Sequence, residues 1–512
     1  MEAQKSFYVT DPLDRRAKLS PDRVALREAA TGSAISYREW NAAANQTANY
    51  LHSLGIRRGD RVAVLACNSL AYLDVWMACG KIGAILQNLN WRLTAPELES
   101  IINDAAPAVL CYSADYAANV DALRARVPSV RYFIAFDEAA PGDRHLSERD
   151  SQPDTLLDHP DLTPDDPWVI CYTGGTTGLP KGAILTHANM TWNATNTVMS
   201  WGLDQNDIAI LNAPLFHTGG LNVFTLPLIH AGGASIVCKA FDAAQVFDLI
   251  ENTGVTLYFG VPTMFTVMQN HPRWQSADFS RMKLVISGGA PCPLPIFERF
   301  WAKGVDFKTG YGLTEAGPNT FWLPAADVRR KPGAVGFPLL HVDVKTVRAD
   351  GAGCAAGEAG ELLIRGAHVT PGYWNNPDAT AKAIIDGWLH TGDLAVCDDE
   401  GYYTIVGRLK DMIISGGENI YPAEVESVMH AHPAVAEAAL IPVPDPKWGE
   451  VGRAVVVVKP GASLESAALL AFMGERLAKY KVPRSVVFVA ELPKTGPGKI
   501  DKRRLIEEHG NS

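Results

Sequence analysis

Between Tyr172 and Ala183 the chain reads YTGGTTGLPKGA, with three threonines, four glycines and one lysine in a dozen residues. The apolar run WVIC stands directly before it. Glycines let successive backbone N–H groups converge on an anion. The hydroxyls of Thr173, Thr176 and Thr177 add donors, and Lys181 adds a mobile positive charge. Phosphate binding is the chemistry this composition suits; a plain Gly/Thr turn between a strand and a helix is the competing reading. The P-loop pattern GxxxxGK[ST] is not met. Gly178 and Lys181 are separated by Leu179 and Pro180, and Gly182 stands where a magnesium-binding hydroxyl would be. A Walker-type NTPase is thereby excluded.

The elements that must position such a loop are legible as short β-branched runs between helix-length segments. RVAVLAC (61–67), WVICYT (168–173), ASIVCK (234–239), VTLYFGVP (255–262) and KLVISGG (283–289) read as strands, which predicts parallel sheets covered by helices. The segment 37–55 keeps an apolar stripe and stops at Gly55, and 242–254 has an Asp N-cap and a terminal glycine. After about Gly366 the texture turns to Gly- and Asp-rich strands and turns. A compact α+β tail follows: helix EVESVMHAH, strand AVVVVKP, helix SAALLAFMGERLAKY and strand SVVFV. The boundary falls near Leu409–Lys410, giving a large domain over 1–409 and a small one over 410–512.

At 512 residues the chain exceeds one core, and length alone suggests about three domain-sized units. A hydrophobic content of 47% with 20% charged residues is that of a water-soluble globular protein. The net charge of −10 excludes a nucleic-acid coat, which needs broad basic surface. Eight scattered cysteines without CxxC or a histidine cluster read as free thiols in a reducing compartment. The N-terminus lacks an apolar signal core and no stretch reaches membrane-spanning length, so the expected location is cytoplasmic.

Seven segments stand in order: YTGGTTGLPKG (172–182), PLFHTGG (214–220), SGGAP (287–291), YGLTEAG (311–317), HTGDL (390–394), GRLKDMIISGGENIYPAEVE (407–426) and PKTGPGKI (493–500). Together the set resembles the adenylate-forming superfamily of acyl-CoA synthetases, aryl-CoA ligases, peptide-synthetase adenylation domains and beetle luciferases. The resemblance covers essentially the whole chain. It implies an α/β fold: a large N-terminal domain of helix-covered, mostly parallel sheets with a β-barrel-like subdomain, and a small mobile α+β C-terminal domain. The implied activity joins a carboxylate to ATP with Mg2+, releasing pyrophosphate, and passes the acyl group of the adenylate to coenzyme A.

The resemblance also assigns roles. Thr173, Gly174, Thr176, Thr177 and Lys181 would hold the β- and γ-phosphates. Lys499 would sit between carboxylate and α-phosphate, where two anions must be brought together. Thr314 matches the α-phosphate hydroxyl and Glu315 the magnesium carboxylate. Tyr311 and Gly312 would lie on one side of the adenine, with Gly289, Ala290 and Pro291 on the other. Asp393 would accept the ribose hydroxyls, supported by Arg408. Lys410 matches the hinge at which the small domain turns between half-reactions. Gly416 and Gly417 would then line the pantetheine tunnel. Trp448 either packs on pantetheine or is a core residue. Nine Lys/Arg between Arg476 and Arg504, against Glu491 and Asp501, form a patch for the CoA phosphates, with Lys481 and Arg484 the leading candidates.

Substrate class rests on PLFHTGG. Amino-acid-activating relatives carry an Asp near here to pair with the amine; this chain has His217, the form of fatty and aryl ligases, which would line and gate the acyl route. The acyl pocket is expected from His217, Leu221, Tyr258, Gly260, Gly288, Thr309 and Gly310. These are mostly apolar or small, which favours a fatty or other bulky hydrophobic acid over an aryl (benzoate- or cinnamate-like) one. Lys308, beside this wall, either reads a distal polar group or points away. The alternatives are an adenylating enzyme that serves a separate carrier protein, a luciferase-like oxygenase, a relative performing one half-reaction, and a non-enzymatic scaffold, against which the intact ATP motifs count. Homodimers are common in the superfamily.

Overall fold

The computed structural model describes residues 9–157, 160–174, 180–416, 418–494 and 500–510. Two seven-stranded sheets form its body. In the first, spatial order runs Arg144–His145, Tyr132–Ala135, Val109–Tyr112, Arg61–Leu65, Ile85–Asn88, Pro167–Thr173, Lys181–Thr186. The second runs Lys308–Thr309, Leu284–Ser287, Leu257–Gly260, Ile208–Leu211, Ala234–Val237, Val24–Glu28, Ala34–Ser36. Every neighbour pair is parallel except the last in each sheet. The strands expected from the sequence are all present, and their unbroken apolar runs suit sheets covered on both faces.

The helices between them carry the signals that start and stop helices. Tyr37–Ser53 begins in a capping box, Ser36 with Glu39. Asp242 caps Ala243–Asn252 by accepting from the Gln245 backbone N–H at 2.7 Å. Leu70–Ile82 is apolar almost all round and is buried almost throughout. It packs against the first sheet through Trp76, which stacks on Trp168 (centroids 5.6 Å apart), and Trp168 stacks in turn on His187 (5.0 Å). Trp168 reaches this place because residue 80 is glycine: a Cβ there would stand 2.4 Å from the indole Cε2. On one face of the second sheet the cover is aromatic, with Phe265, Phe297, Phe300 and Phe307 among its members.

A five-stranded antiparallel sheet follows where the barrel-like subdomain is expected: Asp343–Val347, Ala359–Arg365, Trp388–Cys397, with Ile384–Ile385 and Tyr403–Arg408 both paired to the third. Its last strand ends at Arg408, and a separate five-stranded sheet begins at Ile413. That sheet holds the hairpin Val435–Asp445 with Gly449–Val458 and, in parallel, Ser485–Phe488. The tail helix expected through Tyr480 stops at Gly474. All eight cysteines are free, and among the described residues no helix is long and apolar enough to cross a membrane.

Candidate active site

Most of the motifs leave a sheet at the same kind of place. Thr173–Gly174 follow Pro167–Thr173, the PLFHTGG segment follows Ile208–Leu211, SGGAP follows Leu284–Ser287, and YGLTE follows Lys308–Thr309. Carboxyl ends of parallel strands are where α/β sheets bind ligands, because the loops there converge.

Glu315 lies in a short 3-10 turn, Thr314–Ala316, and is only 9% exposed. Its Oε1 accepts from the Tyr373 hydroxyl at 2.9 Å and, at the long limit of 3.5 Å, from Thr173 Oγ1. Among the described residues no hydrogen bond reaches Oε2. A buried carboxylate with one oxygen anchored and the other presented suits magnesium, which takes one or two carboxylates beside phosphate oxygens. Lys181 Nζ lies 5.3 Å from the centroid of the Tyr373 ring. Cys171 lies behind in the same strand, and burial, then the Glu315 charge, pushes its thiol up to about 12.

Tyr311 and Asp393, expected on adenine and ribose, are bonded to each other. The phenol donates to Asp393 Oδ2 at 2.6 Å, and Arg408 Nε reaches Oδ1 at 2.9 Å. Burial first, and the Asp393 carboxylate second, hold the Tyr311 hydroxyl well above its ordinary pKa. Asp393 is 5% exposed; each of its oxygens keeps a further lone pair for a ligand hydroxyl. Gly312 admits no side chain, since a Cβ would stand 1.3 Å from the Pro318 carbonyl oxygen. Gly289 has φ +78° and is exposed with Pro291, while Ala290 is half-buried, so this loop forms an open rim.

His217 is half-buried beside Phe216, with centroids 4.4 Å apart. Trp91 meets Phe216 edge-on at 6.0 Å and stacks on Tyr116 at 5.8 Å, and the Arg92 guanidinium covers Trp91 at 4.1 Å. None of Trp91, Arg92 or Tyr116 is marked by a motif. They reach the His217 segment from the ends of first-sheet strands, a meeting that no local pattern records.

The expected acyl wall needs correction. Side chains alternate along a strand, and Tyr258 and Gly260 face the core: Tyr258 is edge-on to Phe265, and its hydroxyl accepts from Asn212 Nδ2 at 3.1 Å. A Cβ on Gly260 would likewise meet Phe265, at 3.1 Å. Phe259 takes the other face. Its ring fits where Cβ atoms on Gly219 and Gly288 would approach within 3.2 and 2.9 Å. With Ala209, Leu211, Gly220 and Phe224 it lines a cavity of about 10 Å³. Gly310 packs on Ile286, and Thr309 Oγ1 is 3.5 Å from the Ser287 carbonyl. Leu221 is fully buried in a core cluster to which both large sheets contribute. Lys308 points away: it is 2% exposed, donates to the Leu323 carbonyl at 2.7 Å and stands 3.9 Å over the Trp322 ring.

On the small lobe, Gly416 has φ +60° and a Cβ there would stand 2.5 Å from Trp448 Cε3. Trp448 is 37% exposed, so it is a surface cover on Gly416 and not a core tryptophan. Lys410 sits in the exposed turn Leu409–Asp411. The basic patch is a second correction. Lys481 is paired with Glu424 at 2.7 Å, Lys494 with Glu437 at 2.6 Å and Lys502 with Glu426 at 2.7 Å. These acids lie more than fifty residues upstream, where a count along the segment misses them. Arg484 is exposed. Thr176, Thr177, Gly417 and Lys499 lie outside the described residues.

The AMP-binding enzyme family matches residues 13–374, and the AMP-binding enzyme C-terminal domain matches 424–499. The chain belongs to that family, within the adenylate-forming superfamily, and is an AMP-forming acid–thiol ligase. ATP, Mg2+ and coenzyme A are the cofactors of this class. Among its relatives, a feruloyl-CoA synthase of an Amycolatopsis species is 43% identical over 502 residues, covering 97% of this chain and 98% of that one. A long-chain-fatty-acid–CoA ligase of Mycobacterium tuberculosis is 37% identical over 500 residues, covering 97% of each. The solved anthranilate CoA ligase AuaEII, in complex with anthranoyl-AMP, superposes with a TM-score of 0.91 at 28% identity, covering 100% of this chain and 98% of that one.

Proposed function

We propose that the enzyme activates a compact aromatic acid, such as an arylpropenoic or benzoic acid, and transfers it to coenzyme A. The observation that carries this is the Phe259 ring, which occupies the space two glycines open and lines a cavity of only about 10 Å³. That space is too small for a continuing alkyl chain. The likeness to a feruloyl-CoA synthase and an anthranilate ligase supports the same class. The fatty acid favoured by the apolar composition of the wall would require Phe259 to leave its place.

In the first half-reaction the acid's carboxylate oxygen attacks the α-phosphorus. A P–O bond forms, the α–β bridge breaks, and pyrophosphate leaves. Thr173, Gly174, Thr176, Thr177 and Lys181 hold the departing phosphates, and Lys499 and Thr314 hold the α-phosphate. Asp393 with Arg408 fixes the ribose. Glu315 would hold magnesium, which when bound would supply charge neutralisation across the phosphates. In the second half-reaction residues 410–512 turn about Lys410, Gly416 and Gly417 approach the site, and the CoA sulfur attacks the acyl carbon. AMP leaves with the bonding pair, and the thiol proton passes to solvent. The free cysteines suit a reducing, cytoplasmic setting.

The test is pyrophosphate release from MgATP across fatty, aryl and arylpropenoic acids, each with and without CoA. Multi-turnover release with aryl acids and CoA, giving a thioester, is expected. Preference for long-chain acids overturns the compact-acid reading, and a burst without CoA-driven turnover points to a carrier-protein acceptor. Lys499→Ala should abolish adenylate formation yet spare thioester formation from supplied acyl-adenylate; survival of both half-reactions removes its role.

A further inference from the structure

The segment Thr370–Trp374 joins two groups that the sequence places far apart. Its backbone is fixed to the strand Lys181–Thr186: Ile184 N donates to Gly372 O at 3.0 Å, and Trp374 N to Gly182 O at 2.7 Å. At its start Thr370 N donates to the Glu315 carbonyl at 2.8 Å. Thr380 Oγ1 accepts the Tyr373 N–H at 2.9 Å. From this mount the Tyr373 hydroxyl reaches Glu315 Oε1 at 2.9 Å, while the ring lies 5.3 Å from Lys181 Nζ. One side chain therefore touches both the magnesium carboxylate and the phosphate-loop lysine.

We propose that Tyr373 is a positioning residue for adenylate formation: its hydroxyl turns Glu315 so that Oε2 faces the metal, and its ring holds Lys181 beside the same phosphates. This rests on reading Glu315 as the magnesium ligand. A carboxylate anchored at one oxygen does not swing between the metal and neighbouring donors. A group that orients a metal ligand is commonly worth 10- to 100-fold in metal affinity. The ring adds an attraction for the ammonium that grows as water is excluded.

The experiment compares Tyr373→Phe, Tyr373→Leu and Glu315→Gln in the full-length enzyme. Manganese binding in the presence of a non-hydrolysable ATP analogue is measured by electron paramagnetic resonance, and analogue binding in EDTA by calorimetry. The magnesium dependence of pyrophosphate release and thioester formation from supplied acyl-adenylate complete the set. Tyr373→Phe should weaken manganese binding and raise the magnesium requirement about tenfold, leaving metal-free analogue binding unchanged. Tyr373→Leu should in addition weaken metal-free analogue binding several-fold, because Lys181 loses the ring. Both should form thioester from adenylate within about twofold of the parent rate. If Glu315→Gln weakens manganese binding and Tyr373→Phe does not, the positioning role is wrong and the metal assignment stands. If Glu315→Gln changes nothing, the metal assignment fails and takes the proposal with it. Equal losses in every readout would make Tyr373 a structural residue, which also overturns it.

Discussion

At the scale of single residues, strand alternation sends two adjacent aromatic rings to opposite faces. Tyr258 is buried in the core, and Phe259 fills the space opened by Gly219 and Gly288. Removing that ring by Phe259→Ala should lengthen the pocket and shift kcat/KM toward longer acyl chains relative to aryl acids by about tenfold or more. Unchanged ratios across a chain-length series would show that Phe259 does not set the limit. Period two along LYFG separates 258 from 259, but which of the two faces the glycines is set by the fold, which alone brings Gly219 and Gly288 to Phe259. Tyr373 has no local signal either, because its partners lie 58 and 192 positions away. Lys308 makes a second residue-scale prediction. Burial pulls its pKa down to about 8. The unfolded chain, with an ordinary lysine, binds the proton more tightly. Stability should therefore climb as pH rises from about 8 to about 10.5. Lys308→Met should flatten that climb, measured as denaturant midpoints at pH 7.5 and 10.

At the scale of elements, the packing of Leu70–Ile82 on the first sheet depends on Gly80 admitting the Trp168 indole. Gly80→Ala gains helix propensity worth about 1 kcal/mol, but it drives a methyl into a buried ring. Overpacking of this kind costs about 1–3 kcal/mol, and here the approach of 2.4 Å places it at the upper end. A net loss of about 1–2 kcal/mol in chemical denaturation is expected; a more stable variant would mean that the indole can shift without cost. The elements were readable where hydrophobic period and caps agree, as at Ser36–Glu39 and Asp242. The small lobe was read less well. The hairpin strand Val435–Asp445 carries no clear strand signal, because VAEAALIPVPD mixes helix-forming alanines with prolines, and only its ladder to Gly449–Val458 decides for strand. The tail helix ends at Gly474, a poor helix former, although apolar and basic residues continue the helical pattern past it.

At the scale of the whole molecule, His187 and His368 lie within the packed interior, and burial lowers both to about 4. The unfolded chain takes up their protons near pH 6.5. His230 is lowered by burial to about 4 as well, so stability should fall as pH drops from about 6.5 to about 4, with up to about three protons bound on unfolding. Denaturant midpoints across that range check it, and a flat profile would contradict the neutral, buried state of these rings. The order of motifs along the chain points to the architecture, since four of the seven follow the carboxyl end of a strand in the two large sheets. The charge pattern gives no such pointer, because Lys481, Lys494 and Lys502 find acids from a different element of the fold. That pairing has a kinetic consequence. With three of its cations neutralised at short range and Arg484 left exposed, the lobe exerts a reduced pull beyond a Debye length of about 8–10 Å. Coenzyme A capture should therefore depend on ionic strength less steeply than the count of cations suggests, and Glu424→Gln, by releasing Lys481, should steepen that dependence together with faster capture.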